Sequence, residues 1–311
     1  MTPQLLSHPR VSGFTIVRNG EQYDYPYLES IKSLLPWVDE LIVNVGYGTD
    51  ATFERIQDLQ GLPMGHKLKI FQSNWQLDNP SKQKGGLILS EQTNLALLHC
   101  TGDWCLYLQA DEVLHEADLP AFQAALARAD SITNIEALVF DYLHFYGSYD
   151  VIQKSRSAYR REIRCLRSHR GAQSIGDAQS FRKSGNVKLA ALSAGARVFH
   201  YGWVRNPEAM KEKTYYFDQL YHGQAAAEQS TPYTGDNYRY KRIWGLQRFH
   251  GPHPSVMEPR IAKKNWNWRM EQSPLEWRFS DIKKIILDSV EKWTGFRFFE
   301  YKNYQMKRNL Y

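Results

Sequence analysis

The chain has 311 residues, 42% of them hydrophobic and 14% aromatic, which is enough to bury the core of one large domain. A formal net charge of +6 favours an anionic partner, such as nucleic acid, a membrane surface or a phosphorylated small molecule. No run approaches the roughly 18 consecutive apolar residues that a membrane span needs, and the N-terminal stretch MTPQLLSHPR has no signal-like apolar segment. Three cysteines without metal-type spacing favour reduced thiols, so we expect a cytoplasmic protein.

Strand and helix patterns alternate in the first half of the chain. Apolar runs predict strands, and 3.6-residue periodicity predicts the helices between them. The strands are predicted at 13–20, 39–48, 66–73 and 103–109, and the helices at 25–37, 49–61 and 87–100. This alternation indicates βαβ units and a mostly parallel α/β sheet flanked by helices.

Polar residues lie at the carboxyl ends of three of the predicted strands. They are the pairs Arg18/Asn19, Asn44/Gly46 and Asp111/Glu112. Because ligands bind beyond the carboxyl ends of strands in such sheets, we expect the three pairs to meet in one crevice.

The second half of the chain is predicted to be more mixed. A helix over 118–130 precedes a long strand over 135–147, and shorter strands and loops follow over 159–200. Asn206 as N-cap, Pro207 and Gly223 bound a helix over 206–223.

The tail from residue 236 is rich in Trp, Tyr, Arg and Lys. Within it, residues 280–295 have the pattern of an amphipathic helix. Its apolar face comprises Ile282, Ile285, Ile286, Val290 and Trp293. We expect this helix to pack on the main domain, and the alternative is an interfacial helix near anionic lipid.

The adjacent carboxylates of Asp111 and Glu112, at the end of a buried strand, have three explanations. The first is a helix N-terminal charge or a solvated turn, and the second is an acid/base pair. The third is a divalent cation held by carboxylate and by the phosphate oxygens of a substrate, as is usual for Mg²⁺ and Mn²⁺. The crevice and the many Lys and Arg residues favour the third.

Three segments in order, SGFTIVRNG, VDELIVNVGYGTDAT and SEQTNLALLHCTGDWCLYLQADEVL, resemble glycosyltransferase family 2, whose members have the GT-A fold. The resemblance covers about residues 12–115 well and extends more loosely to about 225. It implies a GT-A domain over 10–225 with a mixed C-terminal half. Residues 226–311 would form an aromatic and basic loop-and-helix extension packed on that domain.

The resemblance also implies functional residues. Asp111 would hold the Mn²⁺ or Mg²⁺ of a nucleotide-diphosphate sugar, and Gln109 stands at the first Asp of the family's Asp-x-Asp motif. His200, in the segment HYGW, would be the second metal ligand, and Glu112 would face a loop or the acceptor. The nucleotide-binding positions would be Arg18, Asn19, Asn44, Gly46, Asp50, Asn94 and Gln109.

An inverting transfer needs a base to deprotonate the acceptor hydroxyl. The resemblance implies an Asp or Glu between the metal motif and the late His. The candidates in that window are Asp141, Asp150, Glu162 and Asp177. We predict Asp177, because it lies on a Gly-flanked loop, and an Asx turn is the structural alternative.

The resulting hypothesis is an inverting glycosyltransferase that uses a UDP- or GDP-linked sugar donor. The acceptor would be a saccharide or a lipid-linked molecule in bacterial cell-envelope polysaccharide or glycolipid synthesis. The extension would make peripheral contact with the inner face of the membrane. A sugar-phosphate nucleotidyltransferase is the alternative, although VRNGEQ has a single Gly where a phosphate loop would be Gly-rich. A nucleic-acid binder is the third reading, but no recognisable module supports it, and we expect no nucleic-acid partner.

Overall fold

The computed structural model describes residues 8–79, 81–223, 227–228, 238–276 and 279–307. In these ranges the strands are β1 Val11–Val17, β2 Glu40–Gly46, β3 Leu68–Ser73, β4 Trp104–Tyr107, β5 Glu112–Leu114, β6 Ala137–Tyr146, β7 Ser148–Gln153, β8 Arg161–Arg167, β9 Gln173–Ile175, β10 Ser180–Arg182, β11 Ala190–Trp203, β12 Leu246–Arg248 and β13 Gln305–Met306. The helices are α1 Tyr27–Leu34, α2 Thr52–Asp58, α3 Leu87–Leu98, α4 Leu119–Asp130, α5 Pro207–His222, α6 Glu258–Ala262 and α7 Phe279–Thr294.

The first half of the chain forms a parallel sheet in the order β3-β2-β1-β4. Every residue of β1 and β2 is buried, as expected for parallel strands that are covered on both faces. Helix α1 connects β1 to β2, α2 connects β2 to β3, and α3 connects β3 to β4. The carboxyl ends of β1 and β4 therefore meet at the same edge of the sheet.

The second half of the chain continues the same sheet with mixed strand directions. Strand β8 is antiparallel to β4 and to β6, whereas β6 is parallel to β11. The short strand β5 is antiparallel to the long strand β11, and this pairing places Glu112 opposite His200. The fold class predicted from the sequence is confirmed: an α/β protein with a parallel first half, a mixed second half and flanking helices.

The C-terminal part of the chain also contributes to this sheet. Strand β12 pairs with β7, and β13 pairs with β11. The division into a domain over 10–225 and an extension over 226–311 stays a prediction, and the extension's residues 226, 229–237, 277–278 and 308–311 lie outside the described ones.

Most of the predicted elements are present with shifted ends. The helix predicted at 206–223 is α5, and the Asn206 side chain accepts a hydrogen bond from the backbone N–H of Glu208, at 2.9 Å, as its cap. The helix predicted at 280–295 is α7. The three cysteines are free and buried. None of the helices in the described residues is both long and apolar enough to cross a membrane.

Candidate active site

A cavity of about 300 Å³ opens at the carboxyl ends of β1 and β4. One wall carries Arg18, which follows β1, and the turn from Gln109 to Asp111, which follows β4. The opposite wall is formed by the end of β11 and by α5. Those two elements contribute His200, Trp203, Lys213, Thr214, Tyr216, Phe217, Asp218, Leu220 and Tyr221.

Hydrogen bonds to Glu112 hold the turn that carries Asp111. The Glu112 backbone N–H donates to the Gln109 carbonyl at 3.0 Å, and the Glu112 carboxylate accepts from the Gln109 N–H at 3.0 Å. The Asp111 carbonyl accepts from the N–H of Tyr201 at 2.8 Å. Both ends of the turn are therefore held by hydrogen bonds, which leaves the Asp111 side chain on a rigid support.

The carboxylate of Glu112 is neutralised by Arg164. Arg164 donates to both carboxylate oxygens, at 2.8 and 2.7 Å, and both side chains are 0% exposed. Tyr142 donates a further hydrogen bond to Glu112 at 2.7 Å. Although burial alone would lower the pKa of Arg164, the charge of Glu112 raises it well above the usual value. The expectation that Glu112 faces a loop or the acceptor is wrong, because this residue is the buried partner of an arginine.

Asp111 lies in the cavity between a lysine and a histidine. Its Oδ2 is 3.4 Å from Lys213 Nζ, and its Oδ1 is 3.7 Å from His200 Nε2. Burial alone would raise the pKa of Asp111, but the positive charges of Lys213 and Arg205 oppose it, and the pKa is lowered to about 2. Asp111 is therefore an ionised carboxylate at neutral pH.

Lys213 reaches Asp111 from α5. Its ammonium donates to the carbonyl of Gly202 at 2.6 Å and lies 5.1 to 5.7 Å from the centres of three aromatic rings. These rings belong to Tyr25, Trp203 and Phe217. Burial, with a contribution from Arg205, lowers the pKa of Lys213 to about 7 in spite of Asp111.

A second histidine fixes the orientation of His200. His144 Nε2 is 2.7 Å from the carbonyl oxygen of Tyr159, so this nitrogen carries the proton and donates it. Burial lowers the pKa of His144 to about 3, so its Nδ1 is left as an acceptor. His200 Nδ1, at 3.0 Å, is then the donor to it. The pKa of His200 is also lowered by burial, so its Nε2 faces Asp111 with a lone pair.

This arrangement fits a divalent cation. His200 Nε2 and Asp111 Oδ1 are 3.7 Å apart and both face the cavity. An ion with bonds of about 2.1 Å to each can span that separation. A hydrogen bond from the other ring nitrogen is the usual support of a metal-binding histidine. The described residues contain no cluster of three or more His, Cys, Asp or Glu side chains that could hold a metal, so water and substrate oxygens would complete the coordination.

Two of the seven predicted nucleotide-binding residues, Arg18 and Gln109, line the cavity. Arg18 Nε donates to the carbonyl of Tyr47 at 2.8 Å, and its guanidinium lies 6.0 Å from the ring centre of Tyr216. Gln109 Nε2 donates to the carbonyl of Ala178 at 3.4 Å. Both side chains are therefore placed where a ligand in the cavity could reach them.

The other five residues lie outside the lining of the cavity. The Asn19 side chain accepts a hydrogen bond from the N–H of Thr49, and the Asp50 side chain accepts one from the N–H of Thr52. The Asn94 side chain forms hydrogen bonds with the backbone N–H and carbonyl of Ser174. Gly46 leaves room for an aromatic ring, because a Cβ there would lie 2.5 Å from Trp75 Nε1. The five residues are Asn19, Asn44, Gly46, Asp50 and Asn94.

Asn44 departs furthest from its expected position. It is 0% exposed, and its amide donates to the carbonyl and the side chain of Gln92, at 3.1 and 3.0 Å. Its Oδ1 accepts from Ser73 at 2.5 Å. The expectation that Asn44 faces the same crevice as Arg18 and Asp111 is therefore wrong, since its amide is used to join β2, β3 and α3.

Asp177, the predicted base, lies in the cavity. Its Oδ1 accepts from the N–H of Gln179 at 3.3 Å, and its Oδ2 accepts from the hydroxyl of Tyr221 at 2.7 Å. The first of these bonds is the Asx-type contact that the sequence left as the alternative. The other three candidates, Asp141, Asp150 and Glu162, are outside the lining.

Sequence reasoning missed several residues of the cavity, and Lys213 is the most important of them. A signal for it exists: Lys213 stands three residues after Met210 and seven before Leu220, on the buried face of α5. A lysine inside an apolar helical face is uncommon and needs a partner. Trp75 had no comparable signal, because it lies in the polar loop after β3.

No family model and no curated protein matches the chain. Among solved structures, S. aureus TarS 1–349 is similar with a TM-score of 0.34 and 13% identity, over 72% of this chain and 73% of that one. In complex with UDP-GlcNAc the same protein gives 0.36 and 12%, over 72% and 74%.

A third solved structure is the mannosyltransferase PcManGT from Pyrobaculum calidifontis, in complex with GDP-Man and Mn²⁺. Its TM-score is 0.32 at 16% identity, and the match covers 45% of this chain and 36% of that chain. At these levels of similarity nothing further about this chain follows from the matches.

Replacing Glu112 tests the buried support of the Asp111 turn. We expect Glu112→Gln to lower the free energy of unfolding by about 3–5 kcal/mol, because it leaves the Arg164 charge buried without a partner. The double variant Glu112→Gln/Arg164→Met should recover part of this loss. Urea denaturation measures both, with the exposed Glu54→Gln on α2 as the matched control. A loss under about 1 kcal/mol for Glu112→Gln would contradict the assigned role.

Proposed function

We propose that this protein is an inverting glycosyltransferase of the GT-A type that transfers a sugar from a nucleotide-diphosphate donor to an acceptor hydroxyl. The observation that carries the proposal is the cavity beyond β1 and β4. It combines a rigidly held ionised carboxylate, an imidazole nitrogen facing that carboxylate, two cationic side chains and two further carboxylates. The family resemblance of residues 12–115 supports the same reaction.

The donor's diphosphate would lie between Arg18 and the Asp111 turn. The Arg18 guanidinium can donate to phosphate oxygens without losing its charge. The Lys213 ammonium has three donors, and its contacts to Asp111 and Gly202 account for two of them. An approaching phosphate would favour the charged form of Lys213 and strengthen binding.

The cofactor in this proposal is Mn²⁺ or Mg²⁺, held by Asp111 and His200. When bound, a divalent ion would supply Lewis-acid stabilisation to the departing nucleoside diphosphate. His144 would keep His200 in the tautomer that has Nε2 free. The imidazole ligand favours Mn²⁺ over Mg²⁺.

Asp177 would be the base that accepts the proton of the acceptor hydroxyl as its oxygen attacks the anomeric carbon. Tyr221 and the 175–179 loop hold the carboxylate at the cavity wall. Attack from the side opposite the leaving group would invert the anomeric configuration. A positioned base contributes about 10²–10⁴-fold to the rate.

The acceptor we propose is a saccharide or lipid-linked molecule of the bacterial cell envelope. A cytoplasmic location at the inner face of the membrane would give access to such an acceptor and to the nucleotide sugar. It would also keep the three buried cysteines reduced.

Nucleotide binding is the first test of the proposal. We expect UDP or GDP to bind the intact protein in isothermal titration. Arg18→Ala should weaken that binding about 10- to 100-fold, because a charge-assisted hydrogen bond to phosphate is lost. Arg55→Ala, at an exposed position on α2 outside the cavity, is the matched control. No binding of any nucleotide, or equal binding by Arg18→Ala, would count against the proposed site.

The metal site has a readout that does not depend on activity. Bound Mn²⁺ can be counted by electron paramagnetic resonance in the presence of the nucleotide. We expect Asp111→Ala to abolish this binding and His200→Ala to weaken it by about 10- to 100-fold, as loss of a ligand or its support does. Wild-type Mn²⁺ affinity in Asp111→Ala would contradict the proposed role of Asp111, and wild-type affinity in His200→Ala that of His200.

The base assignment predicts a separation of binding from turnover. We expect Asp177→Asn to keep nucleotide affinity and to lower kcat by about 10²–10⁴-fold, since the amide cannot accept the proton. Asp141→Asn, at a half-exposed carboxylate that pairs with Arg161 outside the cavity, is the control. Near-normal turnover of Asp177→Asn would transfer the role to Asp218, the other carboxylate besides Asp111 in the lining.

A further inference from the structure

Helix α7 presents a stripe of large apolar side chains to solvent. Ile282, Ile286 and Trp293 are 41%, 58% and 89% exposed. At 100° per residue, the spacing of these three positions places them within about 40° of one another around the helix. The stripe therefore lies on one side of α7, and this side is not turned towards the core.

The residues that follow α7 also expose large aromatic side chains. Phe296, Phe299 and Tyr301 are 57%, 89% and 73% exposed. Together with Ile282, Ile286 and Trp293 they form what we call the C-terminal apolar surface. So many exposed large apolar side chains within one short segment point to an interaction site.

Two of the three acidic residues of α7, Asp288 and Glu291, contact the body of the protein, and the third, Asp281, pairs with Lys284 of the same helix at 3.0 Å. Asp288 accepts from the indole N–H of Trp244 at 3.0 Å and pairs with Arg156 at 3.2 Å. Glu291 pairs with Arg156 at 3.1 Å and with Arg160 at 2.8 Å. These ion pairs attach the helix and keep the charges of Asp288 and Glu291 away from the side that faces solvent.

The basic residues lie beside the C-terminal apolar surface. Lys283 and Lys292 are exposed next to Ile282 and Trp293. The ammonium of Lys188 lies 4.6 Å from the ring centre of Tyr301. The surface thus combines aromatic and aliphatic side chains with flanking positive charge.

We propose that the C-terminal apolar surface docks on an anionic lipid membrane, with α7 lying in the plane of the interface. Exposed Trp, Phe and Tyr with lysines at the edge are the composition of helices that bind at the boundary of headgroups and acyl chains. A symmetric dimer would use the same patch on both copies and would bring like-charged lysines together. The charge pattern therefore favours lipid over a second copy of the chain.

The docking surface is connected to the cavity by one loop. Arg156 and Arg160 of residues 154–160 hold α7, and Tyr159 of the same loop lines the cavity and bonds His144. Membrane docking would fix this loop relative to the lipid surface. Membrane docking does not depend on the proposed function, because it follows from the exposed apolar side chains and the lysines of this surface.

Vesicle sedimentation of the full chain tests the proposal. We expect the protein to bind vesicles of phosphatidylcholine and phosphatidylglycerol at least about tenfold more strongly than vesicles of phosphatidylcholine alone. Lys283→Gln/Lys292→Gln should lower binding to the anionic vesicles about tenfold, and Ile286→Ser/Trp293→Ser should lower it by a similar factor. All four positions are exposed, so the variants should keep the melting temperature of the wild type.

Two matched controls separate this surface from general effects. Arg55→Gln/Lys263→Gln removes two exposed charges elsewhere, and Leu98→Ser removes a side chain that is 81% exposed at the end of α3. Both should bind vesicles like the wild type. Equal binding to neutral and anionic vesicles, or unchanged binding by either of the two double variants, would overturn the proposal. So would a dimer in light scattering that Ile286→Ser/Trp293→Ser dissociates, because the surface would then be a protein interface.

Discussion

The buried ion pair of Glu112 and Arg164 is the interaction on which the candidate site depends. It neutralises the acid that directly follows Asp111, and it closes the turn from Gln109 to Glu112 through the backbone. Burying two charges is costly, so such a pair contributes little net stability compared with apolar residues. We infer that its value lies in geometry, because a fixed turn gives Asp111 a single position. A ligand or ion can then bind without first ordering the carboxylate.

Much of the fold could be predicted from the sequence because its signals are local. The apolar runs of β1 and β2 and the cap of α5 can each be recognised from a few consecutive residues. The role of Glu112 could not be read in this way, since Arg164 lies 52 residues further along the chain. Asn44 and its partner Gln92 are 48 residues apart, and Asp111 and Lys213 are 102 residues apart. Such distant partners decide whether a polar residue faces a cavity or forms a buried hydrogen bond.

The two histidines illustrate how burial controls chemistry at this site. A solvated His200 could take either tautomer or a proton, and it would then offer Asp111 either a donor or a lone pair. In the structure the Tyr159 carbonyl determines the state of His144, and His144 determines that of His200. Removal of water lowers the pKa of both rings, which leaves them neutral. One backbone carbonyl thus selects the form of imidazole that a metal ion requires.

The charges that line the cavity explain why the proposed donor would need a metal ion. The lining contains the permanent cation Arg18 and the titratable Lys213. It also contains three carboxylates, which are Asp111, Asp177 and Asp218. A nucleoside diphosphate adds negative charge to a site that its own side chains do not make positive. Arg205 strengthens the field at Asp111, but it also disfavours the charged form of Lys213. Additional positive charge between Asp111 and His200 would meet this deficit at the point where the leaving group's charge develops.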